Sequence, residues 1–156
     1  MSLNQNQLIK YGIQAETEFL FALNDKINDT NIIIKKTEDR YAPVDFTITN
    51  NTNDTILYIE LKSRKIDISK FKTFLIGRSK INTICNTYPN SCVLIVWTDV
   101  YKHLYYKLVT KDMLKSNIQN CNGADCFLID KNTCKDSDIA SLAECIKKYH
   151  NRVLPF

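Results

Sequence analysis

Hydrophobic residues in the first part of the chain recur at the spacing of an α-helix. The residues on this stripe are Leu8, Tyr11, Ala15, Phe19 and Ala22. Intervals of three to four residues place side chains on one face of a helix, which can then pack on a core. The pattern predicts a helix over residues 2–24, ended by Asn and Asp residues that favour turns.

Short apolar runs replace this pattern over the next forty residues and predict three strands, at 31–35, 44–49 and 55–62. Residues 50–54 read Asn-Asn-Thr-Asn-Asp, a composition that favours a turn. The second and third strands are therefore expected to form an antiparallel hairpin. Pro43 is expected to keep the preceding loop from pairing as a central strand.

The remaining pattern alternates helices and strands. Ser69 is a candidate N-cap for a second helix, with its buried stripe formed by Phe71, Phe74, Leu75, Ile81 and Cys85. Residues 92–97 are almost wholly apolar, which is typical of a strand covered on both faces. Further strands are predicted at 104–109 and 126–129, a short helix at 111–116, and a last helix from Asp136 or Ser137 to about His150.

This order predicts an α/β fold with a mixed β-sheet flanked by helices. A helix that follows one strand and precedes the next usually crosses over the sheet, so the strands at 55–62 and 92–97 should be parallel. A chain of 156 residues is expected to form one domain, over residues 1–156.

Two carboxylates and a lysine are predicted to meet on the hairpin. Glu60 and Lys62 project from the same face of their strand because side chains alternate. Asp45 lies among apolar residues on the neighbouring strand. Such a group suits a divalent metal that activates water. The alternatives are a surface Asp45 near a turn and an ordinary Glu60–Lys62 ion pair, which contributes only ~0–1 kcal/mol when exposed.

Charge is concentrated immediately after this motif. The chain carries a net charge of +4, but residues 62–80 alone carry +6 and the remainder −2. This is the footprint expected for a nucleic-acid partner, whose backbone Arg64, Lys65, Lys72 and Arg78 would contact. The alternative is a solvated helix face. Lys80 is interpreted with equal weight as a phosphate contact or a plain surface charge.

Other sequence features bear on where in the cell the protein is expected and on the state of its cysteines. No apolar run approaches the ~20 residues that span a bilayer, and the polar N-terminus lacks a signal-peptide pattern. We therefore expect an intracellular protein, neither secreted nor membrane-bound. The six cysteines lack the close pairs of common zinc sites and are expected to be free thiols. His103 and His150 are interpreted as surface residues.

The segment Asp45…Glu60-Leu61-Lys62 resembles the D…E-x-K signature of the PD-(D/E)XK nuclease superfamily. Gly12, Glu16 and Phe19 are similar in spacing to the helix that precedes this signature in the family. One departure is that Val44 stands between Pro43 and Asp45. The resemblance covers about residues 8–98, and the segment from about 100 to 156 is treated as a C-terminal elaboration.

The resemblance implies a restriction-endonuclease-like αβββαβ core and a Mg²⁺- or Mn²⁺-dependent endonuclease that hydrolyses DNA. Asp45, Glu60 and the Leu61 carbonyl would bind the metal, together with Glu16, for which Glu18 is the alternative. Lys62 would orient or help to deprotonate the attacking water. Size and layout favour the resolvase-like members, so structure-selective cleavage of junctions or branched DNA is one expectation. A catalytically inactive nucleic-acid-binding module is the alternative function, and a homodimer is left open.

Overall fold

The computed structural model describes residues 4–39, 41–151 and 156. Helix α1 spans Gln5–Ile27, α2 spans Arg78–Thr87 and α3 spans Ile139–His150. Residues 2 and 3, with which the first predicted helix begins, lie outside the described residues. α1 starts in a capping box, because the Asn4 side chain accepts a hydrogen bond from the Gln7 N–H and the Gln7 side chain accepts one from the Asn4 N–H. Its first turns are not buried as predicted, since Leu8 is exposed.

Nine strands are found in the described part of the chain. They are β1 (Ile32–Lys36), β2 (Phe46–Asn50), β3 (Thr55–Arg64), β4 (Thr73–Gly77), β5 (Val93–Asp99), β6 (Leu104–Leu108), β7 (Ile118–Cys121), β8 (Ala124–Asp130) and β9 (Lys135–Ser137). Six of them form one sheet in the order β1-β2-β3-β5-β6-β9. β3 and β5 are parallel and the other neighbours are antiparallel. The predicted mixed sheet, hairpin and crossover are therefore confirmed.

The predicted second helix is wrong in its first half. Thr73–Gly77 forms strand β4, and α2 begins only at Arg78. Ser69 is not the N-cap of a helix, because it lies within a 3₁₀ turn that Asp67 caps. Phe74 and Ile76 are buried, while Thr73, Leu75 and Gly77 are more accessible, which is the alternation of a strand. β4 pairs with β8, about fifty residues later in the chain, which a local pattern does not reveal.

The C-terminal elaboration supplies β7 and β8, which join β4 in a second, three-stranded sheet in the order β4-β8-β7. β7 and β9 were not predicted, because both are short and mostly exposed and therefore lack an apolar run. The predicted strands at 104–109 and 126–129 are confirmed as β6 and β8. The short helix predicted at 111–116 is a 3₁₀ turn, Lys111–Lys115, and Asp138 is the residue that caps α3.

The six-stranded sheet is covered on both faces. One core contains α1 and α3 side chains such as Leu23 and Ile146, packed on alternate residues of β2, β3 and β5. The opposite core brings α2 and the three-stranded sheet against Ile95 and Trp97 of β5. Covering both faces explains why β5 is apolar from Val93 to Trp97. Among the described residues, no helix has the length and hydropathy to cross a membrane.

Candidate active site

The candidate site begins where β2 separates from β3. The ladder between the two strands ends at Phe46, which lies opposite Ile59. Asp45 still donates its backbone N–H to the Ile59 carbonyl at 2.9 Å, and its carboxylate Oδ2 then accepts the N–H of Leu61 at 2.7 Å. The Asp45 side chain thus accepts the hydrogen bond that a backbone carbonyl of β2 would accept if the ladder continued. This hydrogen bond holds the Asp45 carboxylate against the middle of β3.

Glu60 lies well inside β3, because this strand is longer than the predicted 55–62 and its pairing with β5 continues to Arg64. Its side chain is 4% exposed, and Oε1 lies 3.0 Å from Lys62 Nζ. The same oxygen lies 3.3 Å from Lys80 Nζ, and Lys80 also donates to the Pro43 carbonyl at 3.4 Å. Glu60 Oε2 is buried and has no hydrogen-bond partner among the described residues. A buried carboxylate oxygen without a partner is costly, so it marks a position suited to a cation.

The two carboxylates affect each other's charge. Burial, the negative charge of Glu60 and a hydrogen bond that protonated Asp45 can donate to Glu60 raise the pKa of Asp45 to about 6, and the hydrogen bond from Leu61 and the positive charge of Lys62 only partly oppose this. When both carboxylates are ionised, neither can donate to the other. Two carboxylates that share a partly desolvated site cannot both ionise without cost. A bound divalent cation would remove that cost, because it favours the ionised form of both groups.

The other predicted members of the site lie nearby in the fold but make different contacts. Glu16 pairs with Lys36 of β1 at 2.8 Å. Lys36 lies opposite Phe46 in the sheet, and Thr37 donates to the Asp45 carbonyl, so this pair is at the same sheet end as Asp45. Glu18, the alternative to Glu16, accepts a hydrogen bond from the Gln14 side chain.

The predicted nucleic-acid contacts have different partners in the structure. Arg64 accepts a hydrogen bond on its carbonyl from the Tyr11 hydroxyl, and the Lys65 ammonium lies 4.7 Å above the Tyr11 ring. Arg78 is 3.6 Å from Asp125 of β8 and remains half exposed, and Lys72 is exposed. Lys80 is not a plain surface charge, because it enters the carboxylate site from α2.

Sequence reasoning missed a second polar cluster at the end of β5. Buried Asp99 accepts hydrogen bonds from the N–H groups of Ile68, Tyr101 and His103. The His103 ring nitrogen Nδ1 lies 2.8 Å from Asp99 Oδ2 and 3.3 Å from Asp67 Oδ1, and the hydrogen bond to Asp99 raises the pKa of His103. His103 is therefore tied to a buried carboxylate, whereas the sequence indicated an ordinary surface residue.

Two groups of side chains offer oxygen or nitrogen atoms to a metal. Asp67, Asp99 and His103 place three such atoms within 4.8 Å of one another, but the Asp99 oxygens already accept four hydrogen bonds. Asp45 and Glu60 fit a Mg²⁺-type ion better, since they offer carboxylate oxygens and one of these is buried with no partner among residues 4–39, 41–151 and 156. The cysteines, all in the described part of the chain, are free thiols as predicted.

Comparisons with known proteins identify the fold. No protein-family model matches the chain, and no curated protein matches its sequence. Among solved structures, D212, a nuclease from a fusselovirus, superimposes with a TM-score of 0.57 at 11% identity, covering 99% of both chains. The Holliday junction resolvase Hjc from Archaeoglobus fulgidus gives a TM-score of 0.48 at 15% identity, covering 81% of this chain and 98% of its own. The likeness to D212 shows that the chain has a restriction-endonuclease-like fold, as the motif resemblance predicted.

Proposed function

We propose that this protein is a divalent-metal-dependent nuclease that hydrolyses phosphodiester bonds in DNA. The observation that carries the proposal is the buried Glu60 carboxylate: one oxygen lies beside two lysines, and the other has no partner in the part of the chain that the structure describes. The fold it shares with the fusselovirus nuclease D212 supports the same reading. A buried acid–base cluster of this kind is expensive to maintain for stability alone.

Each side chain has a role in this proposal. Asp45 and Glu60 would hold Mg²⁺ or Mn²⁺, helped by the Leu61 carbonyl and by Glu16, directly or through water. The metal, when bound, supplies a water of lowered pKa and positive charge next to the phosphate. Lys62, fixed 3.0 Å from Glu60, would orient that water and stabilise negative charge in the transition state.

Binding and orientation of DNA would come from the cations around the site. Arg64, Lys65, Lys72 and Arg78 would contact the backbone without reading bases. Selectivity for junctions or branched DNA, and the homodimer left open by the sequence, stay predictions. The first is tested by comparing cleavage of linear, nicked, flap and four-way substrates, and the second by sedimentation velocity.

Metal dependence is the decisive test. Labelled DNA is incubated with the protein in Mg²⁺, Mn²⁺ or excess EDTA, with Asp45→Asn as the matched inactive variant. We expect cleavage in either metal and none with EDTA or with the variant. Binding of DNA without cleavage in any metal would favour the inactive binding module, and undiminished cleavage in EDTA would exclude a metal mechanism.

A further inference from the structure

The sheet face that packs on α3 contains an open cavity that is separate from the carboxylate site. Its volume is about 620 Å³, and β5, β6, α3 and the segment from residue 132 to 135 contribute to its walls. Glu60 and Lys62 project from the opposite face of the sheet, because Ile59 and Leu61, which alternate with them, pack in the core under α1 and α3. A cavity of this size can hold a small molecule or one unit of a polymer.

The charged side chains that line this cavity are all lysines. Lys107 belongs to β6, Lys135 to β9 and Lys148 to α3, and no Asp or Glu is among the described residues of the wall. Lys107 donates to the Thr133 carbonyl at 3.3 Å. Lys135 and Lys148 form no ion pair within the described part of the chain. Like charges repel, so an anion in the cavity would relieve the repulsion among the three.

Protection of a sheet edge is the alternative explanation for these charges. β9 is the last strand of the six-stranded sheet, and a lysine on an edge strand discourages pairing with another chain. That explanation accounts for Lys135 alone. Lys107 and Lys148 come from an inner strand and a helix, and they line the same cavity.

The lysines lie beside an apolar, partly aromatic wall. Leu94, Leu108 and Tyr106 contribute to it, and the Tyr106 ring meets the Phe156 ring edge-on, with centroids 6.2 Å apart. The Tyr106 hydroxyl donates to Cys145 Sγ at 3.5 Å, which fixes the ring. A ligand that fits both the apolar wall and the lysines has a flat apolar part joined to an anionic part.

We propose that this cavity binds one nucleotide unit, with the base against the apolar wall and the phosphate among Lys107, Lys135 and Lys148. Bases pack on aromatic side chains whatever their sequence, and lysine binds phosphate as a point charge. The choice of a nucleotide among ligands of this shape rests on the proposed nuclease function. The unit is either a free mononucleotide or one nucleotide of a single DNA strand, and the experiment separates these two sources.

Charge reversal at the two lysines without partners tests the cavity. The double variant Lys135→Glu/Lys148→Glu changes exposed side chains and leaves the core intact. Lys111→Glu/Lys115→Glu is the matched control, because these exposed lysines lie in the 3₁₀ turn after β6, do not line the cavity and give the same change in net charge. Urea unfolding shows that both variants are folded.

Binding is measured in EDTA, so that no cleavage is needed. Calorimetry gives the affinity for deoxyadenosine monophosphate, and anisotropy gives the affinity for a labelled single-stranded oligonucleotide. We expect the cavity variant to bind the mononucleotide at least about tenfold more weakly than the control variant, from the loss of two attractive charges and the gain of two repulsive ones. A parallel loss of oligonucleotide affinity identifies the strand as the source, and an unchanged oligonucleotide affinity identifies the free nucleotide.

Two cysteines report directly on occupancy of the cavity. Cys134 and Cys145 line it, whereas Cys121 does not, and all three are free thiols. Alkylation by iodoacetamide, followed by mass spectrometry, should be slowed by the mononucleotide at Cys134 and Cys145 but not at Cys121. Inorganic phosphate at the same concentration should not protect them, because it has no base to cover the apolar wall.

Three results would overturn the nucleotide site. They are equal affinities of the two double variants for both probes, no protection of Cys134 and Cys145 by either probe, and protection by inorganic phosphate equal to that by the mononucleotide. Cleavage of DNA by the wild-type protein in Mg²⁺ reports the nuclease function independently. A protein that cleaves DNA but leaves these thiols unprotected refutes the cavity proposal alone.

Discussion

Replacing Asp45 with asparagine should stabilise the metal-free protein at pH 8 while it abolishes cleavage. Asparagine keeps a carbonyl oxygen to accept the Leu61 N–H, which Asp45 accepts at 2.7 Å. It removes one of two negative charges that share a partly desolvated site with no metal between them. Its amide group can also donate to Glu60. The variant thus loses a metal ligand but also loses an electrostatic cost.

The size of the effect follows from the pKa of Asp45, which rises from 3.8 to about 6 in the folded protein. At about 1.4 kcal/mol per pKa unit, ionised Asp45 lowers the free energy of unfolding by up to about 3 kcal/mol. Below pH about 4 the group is protonated in both folded and unfolded chains, so the cost is absent. This electrostatic cost develops as the pH rises from about 4 to 6, and it is fully present above that range.

The assay is urea unfolding in EDTA at several values between pH 4 and pH 8. Asp45→Asn should exceed wild type in unfolding free energy by about 1–3 kcal/mol at pH 8, and the difference should fall towards zero at pH 4. Asp112→Asn is the control, since the Asp112 side chain is 89% exposed and 3.8 Å from its lysine partner. Saturating Mg²⁺ should stabilise wild type but not the Asp45 variant.

A destabilised Asp45→Asn variant at pH 8 would refute this reasoning, because it would mean that the carboxylate contributes more in contacts than it costs in charge. A difference from wild type that stays constant across the pH range would refute it too. In that case Asp45 would not titrate differently in the folded and unfolded chains.

Three further predictions concern other parts of the molecule. Lys62→Ala should reduce cleavage by at least about 100-fold with little change in DNA affinity, and single-turnover kinetics at the wild-type rate would exclude its catalytic role. Neutralising Lys65, Lys72 and Arg78 together should weaken binding to all sequences and reduce the slope of log affinity against log salt by up to about 0.9 per lost contact; an unchanged slope would identify them as solvated charges. Asp99→Ala should lower the unfolding free energy by about 2–4 kcal/mol, because it leaves one buried and two partly buried N–H groups without an acceptor, and urea unfolding would show this.

The sequence by itself was enough to predict the central strands and to place Glu60 and Lys62 together on one of them. The alternation along β3 places Glu60 and Lys62 on one face, and their 3.0 Å contact confirms it. The turn at residues 50–54 and the apolar run of β5 are likewise local signals, one for a hairpin and the other for a covered strand. Each depends on a few neighbouring residues and therefore survives without knowledge of the fold.

Only the tertiary structure decided which distant groups complete the site. Residues 73–77 pair with β8 as strand β4, so α2 begins only at Arg78. Lys80 therefore lies in the first turn of α2, from which it contacts Glu60. The tie between His103 and Asp99 depends on a sharp turn between two strands. Pairings between segments tens of residues apart are set by the sum of many packing contacts, so no local pattern contains them. The sequence therefore determined which charged side chains β3 presents on one face, whereas the fold determined which charges from other elements surround them.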